Sequence, residues 1–320
     1  MATVTELRLK IRHWFKKYGK ILFITVVVIG IIFAINRYLM AIDVRTVPNT
    51  TYTPNVSVMN EGSSAPSTVQ TTAETMIEEY VGYCNEGNYQ KAFNMLSEDC
   101  RKYGFGDSLD DFVDYVLKKM ITPKKYSIQD YSNYNGYYIY EVKYIDDILA
   151  TGLTNQTYNY TTEKIIFTRN KNNSFDMSVG NFVKYDQIAN VLENDYLKID
   201  VIDRITRYSI ETYTIKFTNR TDSTVVIADN LVTNEVQLVL PQEYRNMENT
   251  NTNIILEPNQ SQTVTVGFTK FFDDGDISQG ILFGAVRVIE DYKGVDGTLE
   301  EQQREIDNAI AKFSVEIPVK

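Results

Sequence analysis

An apolar run near the start of the sequence constrains this chain more than any other feature. Residues 21–36 read "ILFITVVVIGIIFAIN" without a charge, and the apolar character resumes after Arg37 as "YLMAI". If Arg37 snorkels, the stretch 21–42 is long enough to cross a hydrocarbon core about 30 Å thick. We therefore predict one transmembrane helix over 21–42. A cleaved signal peptide is the alternative, although no small-x-small cleavage site follows the run.

Basic residues before the span predict its orientation. Six Lys or Arg precede it, whereas only Arg37 and Arg45 follow it before Lys91. The positive-inside bias therefore predicts a cytoplasmic tail over 1–20 and an exterior location for everything after about residue 43. We expect the tail to bind the anionic inner leaflet through basic and aromatic side chains. The predicted membrane-interface residues are Arg12, Trp14, Lys16, Lys17 and Lys20.

Charge divides along the same line. Residues 1–45 carry eight Lys or Arg and two acidic residues, a net charge of +6, and the remainder carries 24 against 40, a net charge of −16. Such an acidic exterior would repel phosphate backbones, so we expect no nucleic-acid binding. The abundance of Asn, Ile, Lys and Tyr is typical of an AT-rich genome and favours a low-GC Gram-positive bacterium. The prediction is a single-pass cell-membrane protein with extracellular C-terminal domains.

A polar segment separates the predicted span from the first folded region. Residues 43–71 are rich in Pro, Thr, Ser and Asn and lack hydrophobic periodicity, which predicts a disordered tether. Thr71 and Glu74 then have the spacing of a capping box. We therefore predict that the first helix begins at Thr71.

Two more helices and a set of strands follow. Asn88 is predicted to cap a second helix, and Ser108 with Asp111 predicts the start of a third. Past Pro123 the apolar period changes from 3.6 to 2, and Asn135-Gly136 predicts a hairpin turn. The segments "YYIYEVKYIDDIL", "TYNYTTEKIIFTRN" and "SFDMSVG" read as strands. Helices followed by a meander of strands predict an α+β domain over 72–190.

The first helical corner carries a resemblance to a known fold family. It has an "N-x-G-[ND]-Y" corner and a second helix ending in "LS", as in exported bacterial members of the nuclear transport factor 2-like superfamily. The matching residues are Asn85, Gly87, Asn88, Tyr89, Leu96 and Ser97. The resemblance implies a cone-shaped domain with three helices on a curved antiparallel sheet, a fold in which the sheet can enclose a cavity. It implies no particular activity, because this superfold hosts enzymes, ligand binders and assembly proteins.

The remainder of the chain, 191–320, is strand-like almost throughout. Its segments include "ETYTIKFTNRT", "STVVIAD", "SQTVTVGFTKF" and "GILFGAVRVIED", separated by turn residues. This spacing predicts an all-β sandwich, and the sequence resembles immunoglobulin-like bacterial ectodomains. One stretch, "TLEEQQREIDNAIA", has helical composition and is predicted to decorate an edge or end of the sandwich.

The only two cysteines, Cys84 and Cys100, lie in the helical corner. An oxidising exterior and an antiparallel helix pair make a structural disulfide one interpretation, and two separately buried, reduced thiols are the other. The absence of a CxxC motif argues against a metal or redox site. The single histidine, His13, lies on the predicted cytoplasmic side, so imidazole-based mechanisms are unavailable outside.

Paired carboxylates are the remaining candidates for catalysis or metal binding. They are Asp146 with Asp147, and the group Asp273, Asp274 and Asp276. The group in "FFDDGDISQG" reads as a solvated turn, with weak calcium binding as the alternative. Neither a GxSxG nor an SxxK motif occurs. We therefore expect no enzymatic activity, no cofactor and no resident metal.

Tyrosines concentrate in the predicted sheet of the first domain. There are 23 in the chain, and Tyr138, Tyr140 and Tyr144 alternate along one predicted strand. They are candidates for an aromatic contact surface or, if they face inward, a ligand pocket. Ordinary strand-forming tyrosines are the third interpretation.

The pattern as a whole predicts a non-enzymatic, membrane-anchored scaffold or assembly subunit of a cell-envelope complex. A short tail, one span and an exported cone-shaped domain resemble the layout of the bitopic inner-membrane subunit of type IV secretion and conjugation machines. We expect envelope proteins as partners, with homo-oligomers as a further option. The alternative is an exported binding module for a wall polymer, a peptide or a small ligand.

Overall fold

A computed structural model describes residues 67–120, 124–146, 160–229, 235–248, 253–290, 292–293 and 297–320. All of them lie within one compact unit, Val58–Lys320. This unit is built mainly from antiparallel sheets with a few helices. None of the helices in the described ranges is long and apolar enough to span a bilayer. The predicted tail, the predicted span and the tether up to residue 66 lie outside the described residues.

Three helices open the described part of the chain. They are α1 (Ser67–Asn85), α2 (Tyr89–Asn94) and α3 (Leu109–Lys119), with a short π-helical segment at Cys100–Gly104. Between α1 and α2, Gly87 adopts a φ of 72°, a conformation that favours glycine and reverses the chain.

The helix starts agree with the sequence only in part. The Ser108 hydroxyl accepts a hydrogen bond from the Asp111 N–H at 3.1 Å, which confirms the predicted cap of α3. The prediction for α1 was wrong, because the helix begins at Ser67 and the Glu74 carboxylate pairs with Gln70 one turn earlier. Asn88 occupies the N-cap position of α2, but its side chain makes no capping hydrogen bond.

The first sheet is a meander of four antiparallel strands in the order β1-β2-β3-β4. They are β1 (Lys124–Tyr134), β2 (Tyr137–Asp146), β3 (Tyr160–Arg169) and β4 (Phe175–Ser178). Asn135 and Gly136 have φ values of 51° and 84°, which confirms the predicted hairpin turn between β1 and β2. Since side chains alternate along a strand, one face of this sheet is turned toward the helices.

The three helices bury their apolar stripes against that face. The resulting helix–sheet core contains Ile77 and Tyr80 of α1, Phe112 of α3 and the β-strand residues Val142 and Phe167, all at 1 % exposure or less. Side chains this large and this buried each contribute on the order of 2 kcal/mol by leaving water. The core therefore fixes the helices over β2 and β3.

Ten further strands form two more antiparallel sheets. The first has the order β12-β7-β6-β5, and the second has β9, β8 and β14 along β13, with β10 and β11 beyond β9 and β8. The strands are β5 (Phe182–Glu193), β6 (Leu197–Arg207), β7 (Ile210–Asn219), β8 (Thr224–Ala228), β9 (Val236–Val239), β10 (Tyr244–Asn246), β11 (Ile254–Leu256), β12 (Ser261–Thr269), β13 (Gly280–Ile289) and β14 (Ala311–Pro318).

These two sheets share one hydrophobic core, the two-sheet core. Tyr213, Phe217 and Phe268 enter it from one sheet, and Phe283 and Ile317 enter from the other. Phe217 and Phe283 meet edge-on, with ring centroids 5.3 Å apart. The predicted C-terminal helix exists as α4 (Leu299–Asp307), which begins with a complete capping box between Thr298 and Glu301.

Strand β5 contacts both cores. Phe182 lies in the helix–sheet core, and Tyr185 packs against it. After a bulge at Ala189, where φ is 57°, Leu192 packs against the two-sheet core. The predicted domain boundary at residue 190 therefore falls inside a continuous strand.

Candidate functional site

The three tyrosines singled out from the sequence lie on the face of β2 beneath the helices. Tyr140 and Tyr144 are 1 % and 0 % exposed, and Tyr138 is half-buried. Tyr140 meets Phe167 edge-on at 5.6 Å between centroids, and Tyr138 meets Phe175 at 5.7 Å. This inward orientation leaves only Tyr138 of the three with partial access to solvent.

A buried carboxylate, Glu163 of β3, lies among these aromatic residues. It shares the inward face of the strand with Ile165 and is 3 % exposed. The hydroxyls of Tyr115 and Tyr144 both donate hydrogen bonds to its oxygens. The backbone N–H of Gly180 donates a further one at 3.2 Å. Both carboxylate oxygens therefore have protein donors.

One cation approaches the same carboxylate. The ammonium of Lys119 lies 3.5 Å from Glu163 and keeps 21 % of its side chain exposed. Burial raises the pKa of Glu163 to about 8 and lowers the pKa of Lys119, because desolvation disfavours each charged form. We call Tyr115, Lys119, Tyr144 and Glu163 the Glu163 cluster.

The pKa of Glu163 lies in the range that suits proton transfer, but its side chain is as buried as that of a structural residue. A carboxyl group with a pKa near neutrality is suited to general acid–base chemistry when a substrate comes within hydrogen-bond reach. Here the side chain is 1 % exposed. Its donors come from α3, from β2 and from the turn before β5, so the cluster holds these elements together.

Sequence analysis missed the Glu163 cluster, although one signal pointed to it. In "TTEKIIF", Glu163 has the same parity as the apolar Ile165 and Phe167, and an acidic residue on the buried face of a strand requires partners. Those partners, Tyr115 and Tyr144, lie 48 and 19 residues away along the chain. No local spacing could have identified them.

Cys84 and Cys100 are both buried and both free. Cys84 packs beside Tyr80 on α1, whereas the Cys100 thiol points at the Val179 carbonyl, 3.8 Å away. The two thiols face different elements, so the disulfide alternative is not realised in this structure. Burial raises the pKa of each thiol to about 12, which keeps both protonated and unreactive.

An aromatic junction joins the first sheet to the loop between β12 and β13. The Phe272 ring lies edge-on to the rings of Tyr134 and Tyr137, with centroid distances of 5.3 Å and 4.9 Å. The tip of the β1–β2 hairpin therefore packs against Phe272. The Tyr208 hydroxyl donates to Asp273 at 3.0 Å, and the Lys164 ammonium lies 4.8 Å from the centre of the Tyr208 ring. We call Tyr134, Tyr137, Tyr208 and Phe272 the aromatic junction.

The acidic group in the same loop has protein partners. Asp273 accepts the Tyr208 hydrogen bond, and Asp274 lies 3.3 Å from Arg245 and 3.7 Å from Lys270. Asp276 lies 3.8 Å from Arg245. These ion pairs fold the loop onto β10 and orient the carboxylates toward cationic side chains of the chain itself.

Three exposed large apolar residues directly neighbour the residues of these ion pairs in the sequence. Phe271 is 48 % exposed, Ile277 is 63 % exposed, and Tyr244 on β10 is 59 % exposed. Because Arg245 ties β10 to the loop, we treat Tyr244, Phe271 and Ile277 as one feature, the exposed rim. Exposed aromatic and aliphatic residues are enriched at protein–protein contacts.

A buried ion triad occupies the sheet of β13. One terminal nitrogen of Arg287, Nη2, contacts both Asp229 at 3.0 Å and Glu235 at 2.9 Å, and all three side chains are at most 3 % exposed. Burial raises the pKa of Glu235 to about 7. Two guanidinium nitrogens of Arg287, Nε and Nη1, have no hydrogen-bond partner. The two carboxylates therefore share one nitrogen of Arg287, and the Asp229 N–H also donates a hydrogen bond to Glu235 at 2.7 Å.

A second buried network lies where β7 meets the β12–β13 loop. Glu211 accepts hydrogen bonds from Tyr213 at 2.7 Å and from Ser278 at 2.6 Å, and Lys270 lies 3.4 Å away. The Lys270 and Glu211 side chains are 5 % and 6 % exposed. This network anchors both ends of the loop that carries Phe271 and Ile277.

Some predicted candidates lie beyond what the structure describes. Asp147, the membrane-interface residues and the predicted span are outside the described residues, and the side chain of Asp146 is not described. Within the described ranges, no group of three or more His, Cys, Asp or Glu residues is arranged to hold a metal ion.

Comparisons with known proteins give no relative from which a family or a function could be inferred for this chain. No protein-family model matches it, and no curated protein or solved structure is significantly similar to it.

Proposed function

We propose that this protein is a non-enzymatic, membrane-anchored extracytoplasmic scaffold or assembly subunit of a cell-envelope complex, of the kind used in conjugation or secretion. The predicted N-terminal span is its anchor. Helices packed over one face of the first sheet support the resemblance to the nuclear transport factor 2-like superfamily. Two facing antiparallel sheets with a common core support an immunoglobulin-like second domain.

The aromatic junction carries this proposal. Phe272 packs against two tyrosines at the tip of the β1–β2 hairpin, and Tyr208 contacts both Lys164 and Asp273 nearby. Because of these contacts, the helix–sheet part and the two-sheet part of the chain form one body and not two domains on a flexible linker. Two residues of the exposed rim, Phe271 and Ile277, lie on the same loop as Phe272. A rigid body that displays an apolar rim is suited to docking other proteins at a fixed distance and angle.

The buried titratable groups support a structural role over a catalytic one. Glu163, Glu211 and Glu235 are each nearly enclosed and each bonded to side chains of the chain itself. Catalysis requires a group that reaches the substrate. Buried networks of this kind instead hold a fold in a unique arrangement.

In-cell photo-crosslinking of the full-length protein tests the proposal. A photoreactive phenylalanine analogue replaces Phe271 in one variant and Ile277 in another. The matched control carries the same probe at Val191 of β5, which is 57 % exposed and distant in the chain from the loop. We expect reproducible capture of membrane or secretion proteins from the rim positions and little capture from Val191.

Three outcomes have distinct meanings. Protein partners specific to the rim positions support the scaffold. Equal, non-specific capture from all three positions, or no protein capture from any of them, contradicts it. If only wall material or small ligands co-purify with the full-length protein, the binding-module alternative replaces the scaffold.

A further inference from the structure

The residues of the exposed rim are sequence neighbours of a group of charges in which carboxylates outnumber cations. Arg245 contacts three carboxylates at 2.5, 3.3 and 3.8 Å, those of Glu243, Asp274 and Asp276 respectively. One guanidinium group therefore serves three acidic side chains. Among the described residues, the only other cation in contact with these carboxylates is Lys270, which lies 3.7 Å from Asp274.

The solvent-facing part of this group is negative. Lys270 is 5 % exposed and also pairs with the buried carboxylate of Glu211, so it compensates little of the charge at the surface. Glu243 and Asp276 are 49 % and 33 % exposed, against 24 % for Arg245. Carboxylates that face water near apolar side chains create a negative potential that attracts cationic partners.

The aromatic rings of the exposed rim are a second feature that favours cations. Tyr160 of β3 is 58 % exposed, and the Lys143 ammonium lies 3.8 Å from the centre of its ring. Tyr244 is 59 % exposed, yet no cation of the described residues lies over its ring or over that of Phe271. Since the face of an aromatic ring carries partial negative charge, it attracts Lys and Arg side chains.

Arginine and lysine side chains match both features. A guanidinium group pairs with carboxylates and stacks on aromatic rings, and the methylene groups of either side chain cover apolar surface such as that of Ile277. Apolar contacts supply affinity, whereas complementary charges select the partner. We propose that the exposed rim binds a basic segment of another protein, in which Lys or Arg residues lie beside apolar ones. This inference rests on the scaffold function proposed above and names the chemistry of its partner.

The charge of this chain argues against a second copy as the partner. Residues 46–320 carry 24 Lys or Arg and 40 Asp or Glu, a net charge of −16, so two such parts repel each other. The basic segment of the chain itself, residues 1–20, is predicted to lie on the opposite side of the membrane. The basic segment that the rim binds therefore belongs to a different protein.

Charge variants in the full-length, photo-crosslinking protein test the inference in cells. The probe stays at position 271, and Glu243→Lys reverses the most exposed charge of the group. We expect capture of protein partners to fall about tenfold, because the basic segment then meets a like charge. Asp276→Lys is the second variant if the first fails to fold, since Asp276 has a single, longer contact with Arg245 at 3.8 Å.

Glu193→Lys is the matched control. Glu193 is 47 % exposed and pairs with Arg220 at 2.8 Å, much as the 49 % exposed Glu243 pairs with Arg245. The control therefore changes the total charge by the same amount and breaks a comparable surface ion pair elsewhere. We expect it to leave capture from the rim unchanged.

Mass spectrometry of the crosslinked peptides identifies the segment of the partner that the probe reaches. We expect this segment to contain Lys or Arg beside apolar residues. Replacing those basic residues of the partner by Glu is expected to restore capture by the Glu243→Lys variant, because the two charges are then exchanged.

The outcomes separate this inference from the scaffold function. Capture that survives both Glu243→Lys and Asp276→Lys, or that maps to a neutral or acidic segment, overturns the inference and leaves the scaffold standing. An equal loss in Glu193→Lys overturns it as well, because overall charge would then be responsible. Capture of a second copy of this chain at the rim excludes a different protein as the partner. Only an absence of protein capture from the rim with its natural charges removes the scaffold function too.

Discussion

Replacing Glu163 by Gln is expected to remove a pH dependence of stability that the wild-type protein possesses. The pKa of Glu163 is about 8 in the fold against an ordinary value of 4.5. Because the folded state holds the proton more tightly, the stability from this proton is fully present below pH 4.5 and is lost as the pH rises toward 8. Each pKa unit corresponds to about 1.4 kcal/mol, so between pH 5 and pH 8 the loss is roughly 3–4 kcal/mol. Glutamine does not titrate and is expected to remove this slope.

Urea denaturation of the full-length protein in mild detergent, followed by circular dichroism at a series of pH values, measures the difference. The wild-type midpoint should fall from pH 5 to pH 8 relative to that of Glu163→Gln. A control, Glu141→Gln, changes a carboxylate that is 35 % exposed and should follow the wild-type protein. Parallel curves for wild type and Glu163→Gln across this range would refute the argument that burial governs the ionisation of Glu163.

Three further predictions follow from contacts elsewhere in the fold. Phe272→Ala is expected to lower the free energy of unfolding by about 2–3 kcal/mol in urea denaturation, because the aromatic junction loses its central ring. The control variant Phe271→Ala, at a 48 % exposed position, should change the free energy of unfolding by under about 1 kcal/mol. Arg287→Met is expected to cost about 3–5 kcal/mol in the same assay, since it leaves two buried carboxylates without their cation, and a cost below about 1 kcal/mol would contradict the buried triad. Cys84 and Cys100 should resist iodoacetamide in the folded protein and react in urea, as read by mass spectrometry, and rapid labelling without denaturant would contradict their burial.

Local signals in the sequence predicted local structure well. The Ser108 cap and the Asn135-Gly136 hairpin appear as predicted, because each depends on residues within a few positions of one another. The helical composition after Thr298 likewise corresponds to α4. The first helix was misplaced by four residues because Thr71 and Glu74 fit a cap equally well inside a longer helix.

The candidate sites depended on contacts that no local pattern contains. Glu163 binds tyrosines from a helix and another strand. Phe272 meets Tyr134 and Tyr137 across more than 130 residues of chain, and its sequence neighbourhood reads simply as an acidic turn. Pairing at such separations is decided by how the sheets pack, which composition and periodicity do not encode.

The continuity of β5 sets a limit on how the protein could be cut or recombined. A fragment that begins at residue 191 would lose most of the twelve-residue strand β5, which pairs with β6. The edge of β6 would then be exposed and unpaired, and such edges promote aggregation. A fragment that ends at residue 190 would keep Phe182 and Tyr185 but lose the strand that holds them in place. The parts of the chain before and after residue 190 are therefore expected to fold and to be degraded as one unit. A chimaera with another protein would have to keep β5 and β6 together.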